Sequence, residues 1–84
     1  MNYSVFLFSS AQKALEKLPE EPRRRVYSAL RNLCQNPRPP GCKKLQNSDY
    51  WRIRIGDYRA VYEIDDSKKA VLVLRIAHRS KVYR

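Results

Sequence analysis

The sequence predicts an α+β fold: a single small domain, residues 1–84, in which an N-terminal helical hairpin packs on one face of a mainly antiparallel, twisted sheet. Three observations support it. A short apolar run opens the chain, two stretches with helical periodicity follow, and the remaining stretches alternate apolar and polar residues. A chain of 84 residues has room for one hydrophobic core, and the expected order of elements is β-α-α-β-β-β.

The first strand and first helix are expected within residues 3–19. The segment YSVFLF, residues 3–8, is an apolar run of strand length. The next segment has the i, i+3, i+4, i+7 stripe of an amphipathic helix, formed by Ala11, Ala14, Leu15 and Leu18. Ser9 or Ser10 is the expected N-cap, and Pro19 marks the end of the helix.

The second helix is expected from about Glu21 to Gln35. Pro22 falls in its first turn, where a missing N–H costs little, and its buried seam consists of Val26, Leu30 and Leu33. The stretch NPRPPG, residues 36–41, cannot continue a helix and changes the direction of the chain. The stretches after this loop, KKLQ, YWRIRI, YRAVYEI and AVLVLRI, are strand-like.

The turn at residues 56–57 predicts the register of one hairpin. Glycine at the first central position suits a type II′ turn, which makes Ile55 oppose Tyr58. Counting outward places on the helix-covered face Trp51, Ile53, Ile55, Tyr58, Ala60, Tyr62 and Ile64. The opposite face receives Arg52, Arg54 and Arg59. A slip of one residue would bury these arginines, so the register is well determined.

The last strand is expected to continue this pattern. Strict alternation directs Leu72, Leu74 and Ile76 to the core. The residues left on the opposite face, which carries the arginines of the hairpin, are Val71, Val73, Arg75 and, further on, Arg79. Like charges that face each other across strands destabilise a sheet by roughly 0.2–1 kcal/mol per pair. Such a cluster is explained if an anion bridges the guanidinium groups, which form bidentate hydrogen bonds to phosphate. A solvated strand face, partly neutralised by Glu63 and Asp65, is the alternative.

The overall charge favours a polyanionic partner. The chain has 18 Lys and Arg residues against 8 Asp and Glu residues, a net charge of +10, which suits nucleic acid, an anionic membrane or an acidic protein. No metal or other cofactor is expected, since His78 is the single histidine and Cys34 and Cys42 lack metal-ligand spacing. Without a secretory h-region or a bilayer-length apolar run, the chain is expected to be cytoplasmic, with reduced cysteines and no membrane partner.

The C-terminal segment RIAHRSKVYR supplies groups for acid–base chemistry. Histidine changes protonation near neutral pH, and a tyrosine beside several arginines loses its proton more easily than usual. His78 and Tyr83 are therefore candidates for the acid and base of RNA cleavage, in which a 2′-OH attacks the adjacent phosphate. A terminal tyrosine that only packs or stacks is the alternative.

Several segments, taken in order, resemble the RelE family of bacterial toxins. They are KKL at residues 43–45, WRIRIGDYRAVYEI at 51–64 and HRSKVY at 78–83, after a strand and a helical hairpin that ends in Asn36-Pro37. The resemblance spans nearly the whole chain. It implies the toxin of a type II toxin–antitoxin pair: a ribosome-dependent mRNA endoribonuclease that cuts mRNA in the ribosomal A site. The implied chemistry is attack of a ribose 2′-OH on its own 3′ phosphate, without a metal.

The resemblance also implies roles for individual residues. Arg59 matches an arginine that stabilises the phosphate's developing charge, Arg79 an arginine assigned to leaving-group protonation or charge stabilisation, and Tyr83 the proposed general base. His78 is a second candidate for the acid or base. The residues expected to bind RNA phosphates are Arg52, Arg54, Arg75, Lys43, Lys44 and Lys81.

This chain departs from the family pattern at two of these positions. Arg52 and Arg54 stand where the best-known members have lysines. Their role here is electrostatic, because arginine, with a pKa above about 12, is a poor proton shuttle.

Two other functions are alternatives. A ParE toxin shares the fold and inhibits DNA gyrase without nuclease activity; the set Arg59, Arg79 and Tyr83, expected to be incomplete in such a protein, is complete here. A plain nucleic-acid-binding module would bind phosphates with an affinity that falls steeply with salt. Either toxin needs an acidic cognate antitoxin that crosses the helical surface. The expected partners are that antitoxin, the ribosome and mRNA, with DNA contacted only indirectly through an antitoxin complex.

Overall fold

Residues 2–81, the part of the chain that the computed structural model describes, form two α-helices and a five-stranded mixed sheet. The elements are β1 (Ser4–Leu7), α1 (Ser9–Glu16), α2 (Glu20–Asn32), β2 (Lys43–Lys44), β3 (Tyr50–Ile55), β4 (Tyr58–Asp65), β5 (Ala70–His78) and a 3₁₀ turn (Arg79–Lys81). The strand order is β1-β5-β4-β3-β2; β1 and β5 are parallel and the other pairs antiparallel. The predicted α+β class is confirmed, with one strand more than the predicted order because the KKLQ segment contributes β2.

The two helices cover one face of the sheet and form the core with it. The buried core cluster consists of Ala11, Leu15, Val26, Leu30, Leu33, Ile53, Ala60, Tyr62, Val71, Val73 and Ile76. The predicted seams of both helices are part of this cluster, with Ala14 and Leu18 packed against it. No helix of the described residues is long and apolar enough to span a bilayer.

The predicted N-cap of α1 is wrong. The cap position is Phe8, and within the described residues no side chain hydrogen-bonds to the first turn. The N–H of Phe8 donates to the carbonyl of Val73 at 2.9 Å, so the chain remains tied to β5 until the residue before the helix. Ser9 is consequently inside the helix. The second helix has Pro22 in its first turn, as predicted, but ends at Asn32 instead of Gln35.

The β3–β4 hairpin has the predicted register. Ile55 opposes Tyr58, and the pairing continues outward without a shift to Trp51 and Tyr62. Gly56 has a φ of +60°, whereas Asp57 is not among the described residues with positive φ. This combination fits the type II′ turn, in which only the first central residue needs a left-handed backbone.

The predicted alternation along β5 is wrong in its first half. Val71 and Val73 are fully buried in the helix-covered core, whereas Leu72 and Leu74 are only partly buried. The cause is a β-bulge: Tyr62 pairs with Val73 and the preceding Val61 with Arg75, which leaves Leu74 without an opposing residue. The extra residue inverts the alternation. Ile76 therefore reaches the core and Arg75 the opposite face, as predicted.

The NPRPPG loop is fixed to the sheet at two points. The buried hydroxyl of Tyr62 donates to the carbonyl of Pro37 at 2.8 Å, and burial raises the pKa of Tyr62. Arg38 binds both carboxylate oxygens of Asp66, at 2.9 and 3.3 Å, and its guanidinium lies 5.1 Å from the centre of the Trp51 ring. Asp66 also accepts the hydroxyl of Tyr3 at 2.7 Å. The Arg38 and Tyr3 hydrogen bonds lower the pKa of Asp66 to about 2.

Candidate nucleic-acid interface

The sheet face opposite the helices carries two rows of side chains that contain most of the predicted phosphate-binding residues. Register partners share a face, so the pairing of β2 to β5 defines both rows. The first row consists of Lys43, Arg52, Val61 and Arg75. The second row consists of Arg54, Arg59 and Ala77. We call this surface the arginine face; its five cations surround two small apolar residues.

Two arginines lie directly opposite each other in the second row. Arg54 pairs with Arg59 one step from the closing pair of the hairpin, a position at which opposed Cα atoms are only about 4.5 Å apart. In the first row, Val61 is 8% exposed although it lies on the face without helices. Its partners on both sides are arginines, whose aliphatic stems pack over apolar neighbours while their charged ends stay in water. The fold thus concentrates positive charge above a small apolar floor.

Arg79 lies at the hairpin end of the sheet. Its N–H donates to the carbonyl of Asp57 at 2.7 Å, and its Nε atom is 4.0 Å from Oδ1 of Asp57. The β3–β4 turn therefore fixes the backbone of Arg79 and holds its side chain beside an acidic group.

Two of the predicted residues lie on the helix-covered side. Lys44 pairs with Trp51, and His78 pairs with Tyr58, whose ring it meets edge-on at a centroid distance of 5.4 Å. The Nδ1 atom of His78 is 3.2 Å from Oγ of Ser80 and 3.4 Å from the Ser80 N–H, which donates to it. His78 is thus bonded to the middle residue of the 3₁₀ turn. Lys81 ends that turn, and Tyr83 lies outside the described residues.

The opposite end of the same sheet face is acidic. Glu63 pairs with Leu72, and Asp65 pairs with Ala70, so Glu63 and Asp65 extend the face beyond the arginines instead of lying among them. Asp65 accepts the Ser67 hydroxyl at 2.8 Å and the Lys68 N–H at 3.1 Å, and these hydrogen bonds lower its pKa. The face therefore changes from basic to acidic along β4.

A groove of about 500 Å³ borders the arginine face along β3. Its cationic wall comprises Lys43, Arg52, Arg54 and Arg59, and its other wall includes Asn32, Pro39 and Pro40. The sequence did not indicate these last three residues as site residues, because they belong to the end of α2 and to a loop far from the arginines in the chain. Their one sequence signal is that Pro39-Pro40-Gly41 lies close before Lys43.

This arrangement suits phosphate binding. Guanidinium groups on neighbouring strands present parallel N–H donors that match phosphate oxygens. A single-stranded nucleic acid can follow such a basic surface with successive phosphates.

Comparison with known proteins identifies the family. Residues 5–83 match the family model described as "ParE toxin of type II toxin-antitoxin system, parDE". Toxin RelG of Mycobacterium tuberculosis is 34% identical over 100% of this chain and 99% of its own length. Toxin RelE of the same organism is 38% identical over 98% of this chain and 87% of its own length.

The fold agrees with these sequence matches. The RelE toxin in the crystal structure of the archaeal RelE–RelB complex from Pyrococcus horikoshii superimposes with a TM-score of 0.86 at 30% identity, over 98% of this chain and 100% of that one. The family model has the ParE name, whereas the relatives have RelE and RelG names. The chain belongs to the RelE family within the RelE/ParE superfamily of type II toxin–antitoxin toxins.

Proposed function

We propose that this toxin is a ribosome-dependent mRNA endoribonuclease that inhibits translation by cleaving mRNA in the A site. The observation that carries the proposal is the arginine face, where Arg54 and Arg59 oppose each other next to the row of Lys43, Arg52 and Arg75. Like charges at such positions cost stability, and a bound RNA backbone offsets that cost by placing phosphates between them.

The proposed reaction needs no metal. The 2′-OH of a ribose attacks its own 3′ phosphate to form a 2′,3′-cyclic phosphate, the bond from phosphorus to the 5′ oxygen of the next nucleotide breaks, and negative charge develops on the phosphate oxygens. Arg59, which lies in the row between Arg54 and Ala77, stabilises this charge. Preorganised donors at a developing charge are commonly the largest catalytic contribution. The other four cations of the arginine face hold the neighbouring phosphates.

Tyr83 is the proposed general base that takes the proton of the 2′-OH, and Arg79 stabilises the charge on the departing 5′ oxygen, which takes its proton from water. The placement of His78 supports this assignment, because it pairs with Tyr58 on the helix-covered side while Arg59 lies on the other face. His78 also accepts a hydrogen bond from the Ser80 N–H, within the 3₁₀ turn that precedes Tyr83 in the sequence. We therefore assign His78 a positioning role and Tyr83 the proton transfer.

A cognate antitoxin is the proposed protein partner. The Pyrococcus horikoshii relative was solved as a complex of RelE with RelB. In this chain, Tyr27 of α2 is 54% exposed, between the arginines at 23–25 and Arg31. We propose that a helix of an acidic antitoxin covers this surface and that acidic residues reach the arginine face. DNA is then contacted only through the antitoxin. Charge reversal at Arg23–Arg25 is expected to weaken the complex, and failure to co-purify with the product of the adjacent reading frame would contradict it.

The direct test is primer extension on mRNA in a reconstituted translation mixture, with and without ribosomes. Unmodified toxin is compared with Arg59→Ala and Tyr83→Phe, and with Lys13→Ala as a matched loss of charge on the exposed side of α1. Cuts that require ribosomes, disappear in the first two variants and persist in the third are the expected result. Cuts that are equally strong without ribosomes would contradict the ribosome dependence.

A ParE-like inhibitor of DNA gyrase is the second candidate, favoured by the name of the matching family model. A block of replication without mRNA cuts, together with inhibition of gyrase supercoiling, would support it. A plain nucleic-acid-binding module is distinguished by Tyr83→Ala, which would leave its salt-dependent RNA binding unchanged. In the nuclease, the same substitution abolishes cleavage.

A further inference from the structure

The edge of β3 beside the arginine face offers backbone hydrogen-bonding groups to a ligand. β2 pairs with β3 only at Trp51 and Arg52, so among residues 2–81 no strand covers the edge from residue 53 to residue 55. Ile55 and Tyr58 close a two-residue hairpin and are a hydrogen-bonded pair; alternation along the ladder then directs the N–H and C=O of Arg54 away from β4. A donor and an acceptor therefore lie side by side at the groove along β3.

The wall across this groove is apolar and held in place. Pro39 and Pro40 line it, and the carbonyl of Pro39 accepts the Cys42 N–H at 3.1 Å. The loop is also anchored by the buried hydrogen bond from Tyr62 to Pro37, at 2.8 Å. Because the backbone on both sides is fixed, the groove exists before any ligand arrives, which lowers the entropic cost of binding.

The groove combines three features that suit one nucleotide. Cationic side chains along one wall suit the phosphate, and proline rings suit the face of a base. Asn32, the last residue of α2, also lines the groove, and an asparagine side chain can form two hydrogen bonds to adenine. The volume, about 500 Å³, lies within the roughly 300–1,000 Å³ range of small-ligand sites.

We propose that this groove is a nucleobase-binding subsite for single-stranded RNA, with a preference for adenine. The base adjoining the phosphate on the arginine face lies against Pro39 and Pro40, and Asn32 contacts its edge. The inference rests on the proposed function for its substrate class, RNA. The groove thus adds base selection to a surface that otherwise binds only the backbone.

Binding to the free toxin tests the inference without ribosomes or cleavage. The ¹⁵N-labelled full chain is titrated with an RNA trinucleotide whose central 2′-hydroxyl is replaced by hydrogen, and separately with inorganic phosphate. The trinucleotide is expected to shift the backbone amide of Gly41, which lines the groove, whereas phosphate leaves it in place. A chemical shift of the Gly41 amide that does not change with the trinucleotide, or that changes equally with phosphate, would overturn the subsite. A response to the antitoxin alone would assign the groove to that protein instead.

Two variants test base selection. Asn32→Ala is expected to reduce the preference for an adenine over a uracil trinucleotide by about fivefold or more. Gln35→Ala removes a carboxamide three residues beyond the end of α2 and outside this groove, and it should leave the preference unchanged. Equal preference in Asn32→Ala and the unmodified toxin would refute the assignment of Asn32. Because no step requires cleavage, loss of the nuclease proposal and loss of this subsite are separate results.

Discussion

The two ends of the sheet contain charges in opposite arrangements. At the turn between β4 and β5, Asp66 accepts hydrogen bonds from Arg38 and Tyr3, and Arg38 also lies over the Trp51 ring. At the hairpin end, Arg54 faces Arg59. The first arrangement joins a loop, a turn and a strand, whereas the second opposes folding. Charges that stabilise the fold and charges proposed to bind RNA are thus separated along one sheet, and substitutions at the two ends should have different consequences.

The largest expected effect is the loss of activity in Arg59→Ala at nearly unchanged stability. Removal of one donor at a developing charge typically lowers the rate about 100- to 1,000-fold. The free energy of unfolding should change far less than the activity, because the loss of the like-charge pair with Arg54 offsets favourable contacts that the side chain also loses. Single-turnover cleavage on programmed ribosomes and urea denaturation measure the two quantities. An Arg59→Ala variant that retains full activity but has a much lower free energy of unfolding would contradict the distinction between the two ends of the sheet.

The reverse pattern is expected for Tyr62→Phe, which removes the buried hydrogen bond to Pro37. A buried carbonyl left without its donor costs about 1–3 kcal/mol of unfolding free energy. Tyr27→Phe, at an exposed position, should change it by no more than about 0.5 kcal/mol. Urea denaturation of both variants distinguishes the two positions, and equal small losses would show that the loop is anchored without this bond.

Arg54→Ala should weaken RNA binding in a salt-dependent way. Each phosphate contact contributes about −0.7 to the slope of log affinity against log salt for single strands, so this variant should give a shallower slope by that amount. Lys68→Ala removes a cation from the turn at the other end of the sheet and should leave the slope unchanged. The measurement is fluorescence anisotropy of a labelled RNA over a series of salt concentrations; identical slopes in both variants would place the backbone path elsewhere.

The smallest effect concerns acid stability and Asp66, whose pKa in the folded protein is about 2. A carboxyl with a lowered pKa stabilises the fold fully above its ordinary pKa, and that contribution disappears as the pH falls through the lowered value. As the pH falls from about 4 to about 2, Asp66→Asn should therefore lose less thermal stability than the unmodified chain does. Asp49→Asn, which removes another exposed carboxyl, is the control, whereas Asp65→Asn should act in the same direction as Asp66→Asn, because the hydrogen bonds from Ser67 and Lys68 lower the pKa of Asp65. An equal loss of thermal stability with falling pH in Asp66→Asn and the unmodified chain would contradict this role.

The sequence predicted the β3–β4 hairpin well because a two-residue turn with glycine fixes its own register. The prediction for Val71 and Val73 put them on the wrong face, because a bulge leaves no periodic signal in the sequence. In the run VLVL, either the valines or the leucines could face the core. Lys44 and His78 were grouped with the arginines by charge and chemistry, while only the strand pairing shows that they lie on the other side. Asn32 and Pro39 reach the groove through tertiary packing, which neither composition nor spacing encodes.

The bulge at Leu74 has a consequence for the tolerance of this strand to insertions and deletions. β5 consists of two segments in different frames, one facing the helices through Val71 and Val73 and the other presenting Arg75 to the opposite side. Deletion of Leu74 would remove the bulge and leave a regular strand, in which Val71, Val73 and Ile76 still face the helices and Arg75 still faces the opposite side. β5 therefore has one residue more than strict alternation requires, and the loss of that residue is the change in strand length that it should tolerate.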